Sequence, residues 1–414
     1  MRSDTWSSKR IESLCEVTSS KRIFASDYVA EGVPFYRGRE ITEKFLGNLE
    51  VSTELFISEN MFTSIEKKFG APLPGDLLLT SVGTLGSAYV VKPGERFYFK
   101  DGNLTWFRNF NGFDSRFLFY WLISPIGKSE LRRATIGVAQ PALTIVNLKG
   151  MEISIPPYNI QRRIADILSA YDDLIENCQR RIRILETMAL SLYREWFVHF
   201  RFPGHETHPR VDSPLGEIPK GWEVVAIASI SAYVNRGLSP TYDENGESLV
   251  LNQKCIRDQR LSFKPARRQS KPIPIEKKIR FGDVLINSTG VGTLGRVAQL
   301  YQETENCTVD SHVTIVRPKD NIDMDFFGMS MMERQKIFER LGVGATGQTE
   351  LNRASVTSVE FPIPTREIAD RFGHIVRPMR KSAFILSEKI QNLRRTRDLL
   401  LPRLLSGQVE LETN

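Results

Sequence analysis

Several stretches of this chain carry residue types that do chemistry in other settings. Ile155-Pro156-Pro157-Tyr158 differs by one residue from the polar-Pro-Pro-Tyr signature with which adenine-N6 methyltransferases hold a target amine. The differing residue is the chemical one: isoleucine offers no acceptor for an amino group, and no glycine-rich nucleotide loop follows a first strand. Gly127-Lys128-Ser129 has the ending of a phosphate-binding loop, but the glycine required five places earlier is Leu122, and no strand feeds into it. His205 and His208 have no third ligand, His199 being the nearest other histidine, so no metal is expected. His312 and His374 are isolated and read as structural histidines. No Ser/His/Asp set and no acidic cluster followed by lysine stands out. The chain is expected to be non-enzymatic.

Anion binding is the chemistry that remains. Aromatics alternate with arginines along Val33-Pro34-Phe35-Tyr36-Arg37-Gly38-Arg39, and a later stretch gathers Lys254, Arg257, Arg260, Lys264, Arg267, Arg268, Lys271, Lys277, Lys278 and Arg280. That run reads either as a solvated face or as a phosphate-binding one, and charge alone does not separate the two. The overall balance is mild: 56 Lys and Arg against 49 Asp and Glu give +7 over 414 residues. Two glycine loops, Ser81-Val82-Gly83-Thr84-Leu85-Gly86 and Ser288-Thr289-Gly290-Val291-Gly292-Thr293-Leu294-Gly295, lack the Lys-Ser/Thr ending of a nucleotide cradle. They read first as tight strand reversals whose backbone amides are still able to meet a nucleic-acid phosphate.

The elements that position these residues occur twice. Pro74-Gly75-Asp76, then Leu77-Leu78-Leu79-Thr80, then the first glycine loop, reads as turn, strand and loop, returning through Ala88-Tyr89-Val90-Val91. Phe281-Gly282-Asp283 and Val284-Leu285-Ile286-Asn287 repeat it, with Gly75 mapping to Gly282 by 207 positions and Gly86 to Gly295 by 209, so the second loop is two residues longer. Gln140, Leu143 and Ile155 map to Gln348, Leu351 and Ile363, each by 208. A helix is expected around Ser115 to Leu131 and a strand over Met151 to Ile155. Between the repeats, Val33 to Thr63 and Leu249 to Lys278 share little beyond an apolar rhythm: one scaffold carries two different surfaces.

A long helix over Ile160 to Val198 follows the first copy. Its apolar positions step by four and three through Ile164, Leu168, Tyr171, Ile175, Cys178, Ile182, Leu185, Ala189, Leu192 and Trp196, the seam of a coiled coil. Adding 208 finds the partner seam: Phe372, Val376, Met379, Ala383, Leu386, Ile390, Leu393, Arg397, Leu400 and Leu404. Only Arg397 breaks it. Pro402 is expected to end or kink this helix early, leaving Leu404 the least secure position. A compact domain has its ends close together, so the two helices are expected to run antiparallel. Residues 202–216, rich in the breakers Pro and Gly, read as a linker.

Composition agrees with two real cores: 41% of residues are hydrophobic, including 24 Phe. Cys15, Cys178, Cys255 and Cys307 have no paired spacing and read as core residues. No apolar run is long enough to cross a bilayer, and Met1-Arg2-Ser3-Asp4 lacks the apolar core of a signal peptide. A cytoplasmic protein is expected.

In duplicate and in order, the Gly-Asp-strand-glycine-loop motifs, the Gln140/Leu143 and Gln348/Leu351 segments and the strand-Pro-helix transitions at Pro156 and Pro364 resemble the DNA-specificity subunit of type I restriction-modification systems. The likeness covers nearly the whole chain. It implies an α+β fold with two mixed α/β target-recognition domains in a pseudo-twofold arrangement, separated by two long antiparallel coiled-coil helices. The expected boundaries are 1–157 and 202–364 for the recognition domains, the latter with its linker, and 158–201 and 365–407 for the helices. Each domain is expected to read half of a split, asymmetric site on double-stranded DNA. The helices are expected to act as spacer and to dock two modification subunits, with restriction subunits joining them. S-adenosylmethionine, ATP and Mg belong to those partners, and no cofactor is expected in this chain. The candidate DNA contacts are Arg37, Arg39, Arg132, Arg133 and Gln140 in the first domain and Lys254, Arg267, Arg268, Lys278 and Gln348 in the second. Arg pairs with guanine, Gln with adenine, and Lys more often with phosphate. The principal seam positions are Ile164, Leu168, Ile175, Ile182, Leu185, Leu192, Phe372, Val376, Leu386, Ile390, Leu393 and Leu400. Two other classes remain open: a methyltransferase or nuclease in its own right, and a scaffold that binds only protein.

Overall fold

The computed structural model describes residues 6–48, 51–343, 349–409 and 411. The chain divides into two units, Met1–Arg180 with Ser387–Asn414, and Arg181–Leu386. Each unit holds one mixed α/β domain and a segment of each of two 40-residue helices, α1 (Tyr158–Phe197) and α2 (Arg366–Leu405).

The core of the first domain is a four-stranded antiparallel sheet of β1 (Glu16–Thr18), β2 (Leu77–Thr80), β3 (Ala88–Val90) and β4 (Leu104–Arg108), in the order β1-β4-β2-β3. The second domain has β5 (Ser231–Arg236), β6 (Val284–Asn287), β7 (Val297–Gln299) and β8 (Val313–Pro318), in the order β5-β8-β6-β7. The two sheets have the same topology. Leu77, Leu78 and Leu79, like Val284, Leu285 and Ile286, are fully buried, which explains an unbroken apolar run where a half-exposed strand would alternate. The turn into each central strand needs its glycine, since Gly75 and Gly282 have φ of +93° and +89°. The aspartate after it closes the turn: Asp76 accepts from the Leu73 amide at 2.9 Å and Asp283 from the Arg280 amide at 2.8 Å.

The helix expected over Ser115 to Leu131 is two helices, Ser115–Ile123 and Pro125–Ala134. Proline lacks the N–H that would continue the first helix, and the Ser124 hydroxyl caps the second by accepting from the Gly127 amide at 3.1 Å. Gly127 is a packing glycine, not a phosphate cradle, because a Cβ there would lie 1.9 Å from the Trp121 carbonyl oxygen. Residues 202–216 are also more than a tether. Phe202 is buried and stacks on Trp222 at 5.5 Å, and a two-residue pairing of Arg210–Val211 with Ile218–Pro219 closes the segment.

In the first unit, Ile164 and Leu168 share a core with Leu401, Leu404 and Leu405, while farther along α1 Asp172 pairs with Arg397, farther back on α2. In the second, Tyr193, Trp196 and Phe197 close on Phe372 at 6.1, 5.9 and 4.9 Å. Within each unit the helices are therefore antiparallel. Ile164, Leu168, Ile175, Ile182, Phe372, Val376, Leu386 and Ile390 are buried, whereas Leu185, Leu192, Leu393 and Leu400 are half-buried. The buried face is wider than the predicted seam where a helix also covers its domain, taking in Ala165, Tyr193, Phe197, Leu401 and Leu405. Arg397 is accommodated by Asp172, whose second oxygen accepts from the Tyr120 hydroxyl at 2.7 Å. Pro402 does not end α2, which continues to Leu405 with Leu404 only 2% exposed. Burial of Leu401, Leu404 and Leu405 holds the last turn against the lost backbone bond. Ile155-Pro156-Pro157-Tyr158 is a helix entry: the Pro156 carbonyl accepts from the Gln161 side chain at 2.9 Å, and Tyr158, half exposed, is the first helical residue.

Candidate nucleic-acid interface

In each domain three segments that are distant in sequence converge on the glycine loop. The first is the return of the Gln140/Leu143 stretch. Residues Thr135–Ile136 and Ala142–Leu143 form a short hairpin whose second arm lies along the loop, with the Leu143 amide donating to the Ser81 carbonyl at 2.9 Å and Val82 bridged to Ala142. Gly137-Val138-Ala139-Gln140 is its exposed tip, and Arg132 and Arg133 close the helix leading into it. In the second domain the Leu351 amide donates to the Ser288 carbonyl at 2.8 Å, and Thr289 and Val343 both bridge to Glu350. Gln348 lies outside the described residues.

The second segment is the turn after a strand that pairs in parallel with a neighbour. Val33–Tyr36 pairs with Tyr98–Phe99, and Ser248–Leu251 with Cys307–Val309, so the two apparently unrelated stretches begin on the same strand. They then diverge. In the first domain the strand leads into the helix Gly38–Phe45, whose Thr42 hydroxyl donates to Ser87 Oγ at 3.3 Å behind the loop. In the second it leads into one tight turn, Gln253–Cys255, where Gln253 donates to the Thr289 carbonyl at 2.8 Å. Arg37, Arg39 and Lys254 thus occupy corresponding turns.

The third segment is the strand behind the loop. The Ser81 amide donates to the Asn103 carbonyl and the Ser288 amide to the His312 carbonyl, both at 2.8 Å. Ser81 and Thr105 hydroxyls meet at 2.6 Å, and so do Ser288 and Thr314. These paired bonds fix each loop at the equivalent place on its own sheet.

The arginines of the first turn are partly committed. Glu40 is fully buried; burial alone would raise its pKa, but hydrogen bonds from the Arg37 side chain and backbone hold it below the usual carboxylate range. Arg37 Nη2 and Arg39 Nη2 approach Glu40 Oε1 at 3.1 and 2.9 Å, leaving the side chains about a third and a half exposed, 33% and 46%. Arg133 pairs with Glu130 at 2.7 Å, while Arg132 and Gln140 are exposed.

The basic run of the second domain is not one face. Arg260 donates to Glu186 on α1 at 2.8 Å, and Lys277 caps the Gly237 carbonyl at 2.7 Å. Arg267 and Arg268 are adjacent on the strand Arg267–Gln269 and so point to opposite sides. Arg267 lies over the Tyr242 ring at 3.6 Å and Arg268 donates to the Gly246 carbonyl at 2.9 Å, both remaining exposed. Lys254 is exposed and Lys278 half-buried. Sequence reasoning missed Gln253, His312 and Arg236, which donates to the Leu351 carbonyl at 3.1 Å. The repeat offset held the signal for His312, since it falls opposite Asn103.

Among the described residues no group of His, Cys, Asp and Glu is arranged to hold a metal. His205 and His208 bond to the carbonyls of Phe202 and Lys220, each at 2.8 Å. All four cysteines are buried and unpaired. No helix of the described residues is long and apolar enough to cross a membrane.

Residues 3–186 match the family described as type I restriction modification DNA specificity domain. The MjaIX type I restriction enzyme specificity subunit of Methanocaldococcus jannaschii is 25% identical over a 432-residue alignment, spanning 98% of this chain and 94% of its own. The HindI type I specificity subunit of Haemophilus influenzae is 24% identical, over 65% of this chain and 71% of its own. Among solved structures, the S subunit of a type I restriction-modification system from M. genitalium covers 99% of this chain and 97% of its own, with a TM-score of 0.63 at 17% identity. That last likeness is one of fold.

Proposed function

We propose that this chain, a member of the type I restriction-modification specificity-subunit family, reads a bipartite, asymmetric site on double-stranded DNA and directs partner subunits to it. It is the non-catalytic, DNA-recognising component. The observation that carries the bipartite reading is the repeated convergence of turn, glycine loop and hairpin on identical sheets, with different exposed residues in each copy. Arg37, Arg39 and Asn103 stand where the second domain has Gln253, Lys254 and His312. One scaffold bearing two such surfaces suits two different half-sites. The two helices, each about 60 Å long at 1.5 Å per residue, act as the ruler between them and as the docking surface for two modification subunits. Restriction subunits complete the assembly. S-adenosylmethionine, ATP and Mg are used in those partners, in the cytoplasm.

Single-molecule mapping of methylated adenines in the host genome, with and without this gene, tests the proposal. A split motif that disappears with the gene is expected. If instead the pure chain methylates or cleaves DNA unaided, catalysis lies here. Weak, sequence-insensitive DNA binding by the assembled complex would leave only a protein scaffold.

A further inference from the structure

We propose that His312 is a base-reading residue of the second recognition domain, presenting its Nε2–H as a fixed hydrogen-bond donor to one base pair of the second half-site. The inference rests on the DNA-reading role proposed above and adds a residue, a protonation pattern and a class of contact.

Backbone register places His312 at the loop. Its carbonyl holds the Ser288 amide at 2.8 Å, so its side chain leaves the sheet beside Thr289 and Gly290, and it is exposed. The corresponding residue of the first domain is Asn103, which holds Ser81 at the same distance. Both positions carry a short polar side chain able to face a base edge, and they differ between domains, as residues reading different sequences would.

The hydrogen bonds around Thr289 suit a ring proton on Nε2. The Gln253 amide, a donor only, bonds to Thr289 Oγ1 and to the Thr289 carbonyl, the latter at 2.8 Å. Thr289 Oγ1 in turn lies 2.8 Å from His312 Nδ1. With the Gln253 N–H on one lone pair, the Thr289 hydroxyl is free to donate to His312 Nδ1, and in the proposed tautomer the chain runs Gln253 N–H to Thr289 O–H to His312 Nδ1. An imidazole that accepts at Nδ1 carries its proton on Nε2. The ring is held through Thr289 by a glutamine itself anchored on the recognition turn. Such a preorganised donor loses little freedom on binding.

The environment favours a base edge over a phosphate. Asp310, buried to 5% exposure, accepts from the His312 backbone amide at 2.9 Å, so a carboxylate lies directly beneath the residue. A phosphate would be repelled there, whereas a neutral acceptor would not. In the major groove, Nε2–H fits purine N7, guanine O6 or thymine O4.

The test uses the assembled modification complex with DNA randomised across both half-sites, read by sequencing the methylated products. H312A is expected to lower discrimination at one base pair of the second half-site by about fivefold to tenfold, the worth of a single hydrogen bond, with the first half-site unchanged. T289V, which keeps the shape and removes the relay hydroxyl, should relax the same base pair less severely. Equal weakening on every sequence would overturn the proposal, because that marks a phosphate contact or a structural role. Unchanged preferences in H312A would also overturn it, and K254A and R39A then separate the two ideas. If they weaken DNA binding, the DNA-reading role stands without His312; if they also do nothing, that role fails as well.

Discussion

The aspartates of the two Gly-Asp turns should respond in opposite ways to the same substitution. Asp76 and Asp283 close equivalent turns, but the core atoms they meet differ. Asp76 Oδ2 accepts from the Leu73 amide at 2.9 Å and from the Trp106 indole at 2.8 Å, both on one oxygen. D76N can keep both bonds with its carbonyl, so the loss of charge-assisted strength is offset by a smaller desolvation cost, and the net change should stay within about 1 kcal/mol. Asp283 is 1% exposed and binds the Arg317 guanidinium through two bonds of 2.8 Å. D283N leaves that cation buried against a neutral amide, a loss of about 3–5 kcal/mol for a broken buried pair. The Lys278 carbonyl still accepts from Arg317 at 2.8 Å, which puts the expected cost near about 3 kcal/mol, about a hundredfold in the unfolding equilibrium. Burial pushes both carboxyls above their ordinary value of 3.8, at Asp283 against the opposing pull of Arg317, so relief of desolvation offsets part of the D283N cost. A raised native pKa means that this contribution to stability is fully present below 3.8 and is lost as pH climbs through the native pKa. D76N should therefore remove a downward slope with rising pH, and gain most near neutrality. Urea unfolding of the full chain between pH 4 and 7 measures both effects. A cost of 3 kcal/mol or more for D76N, or none for D283N, would refute the assignment of the two aspartates to different electrostatic roles.

Tyr158→Phe should leave methylation by the assembled complex nearly intact, because Tyr158 opens a helix; turnover reduced by orders of magnitude with DNA binding preserved would expose an active site here. Replacing Arg267, Arg268 and Lys271 by Ala should flatten the salt dependence of DNA binding by about 0.9 log units for each phosphate no longer neutralised. Because Arg267 and Arg268 leave opposite sides of their strand, a change smaller than three phosphates' worth is expected, and an unchanged slope assigns all three side chains to solvent. Inserting seven residues after Arg180 in α1 and after Leu386 in α2 lengthens the ruler by about 10 Å, about three base pairs. Methylation mapping should find unchanged half-sites with a longer spacer, or no binding if the added rotation prevents docking; tight binding at the original spacing contradicts the ruler.

The repeat and the helices were legible because their signals are local or periodic. A four-three rhythm reports a buried stripe whatever lies against it, and Gly75 and Gly282 announce the same left-handed turn. Ser124-Pro125, a cap followed by a first-turn proline, also carried a local signal, but the expected helix over Ser115 to Leu131 ran across it where the structure has two. The meeting of the glycine loop with the Leu143 segment, some sixty positions away, is a tertiary bond with no periodicity to betray it. The basic run misled for a related reason: charge along a sequence does not say which side chains the fold already uses. Arg260 is tied to Glu186 and Lys277 to a backbone carbonyl, and only the folded chain separates them from Lys254. His312 looked isolated because its partners, Thr289 and Gln253, arrive from two other segments.

A ruler of the kind proposed above would transmit distance only if its ends did not swivel, and each unit ties its own domain to the helices. In the first, Arg116 reaches Asp166 on α1 at 2.7 Å, Lys92 reaches Glu176 at 2.6 Å, and Tyr120 joins Asp172, which holds Arg397 of α2. In the second, Arg377 of α2 binds Asp323 and Asp325 at 2.7 and 2.8 Å, Arg380 adds to Asp325 at 3.3 Å, and Arg194 of α1 meets Glu333 at 3.1 Å. Individually the exposed members of these sets contribute little, about 0–1 kcal/mol each. Their value is directional: several ties spread along a helix resist rotation that one greasy stripe would permit. Gly373 makes the same point from the cost side. A glycine within a helix is unfavourable by about 1 kcal/mol, yet a Cβ there would sit 2.4 Å from Asp323 Oδ2, so the chain gives up local helix propensity to seat a carboxylate against α2. The ion pairs of the two units differ in every partner while both bind domain to both helices or their shared core. Each unit thus ties its domain to the helices through its own set of contacts.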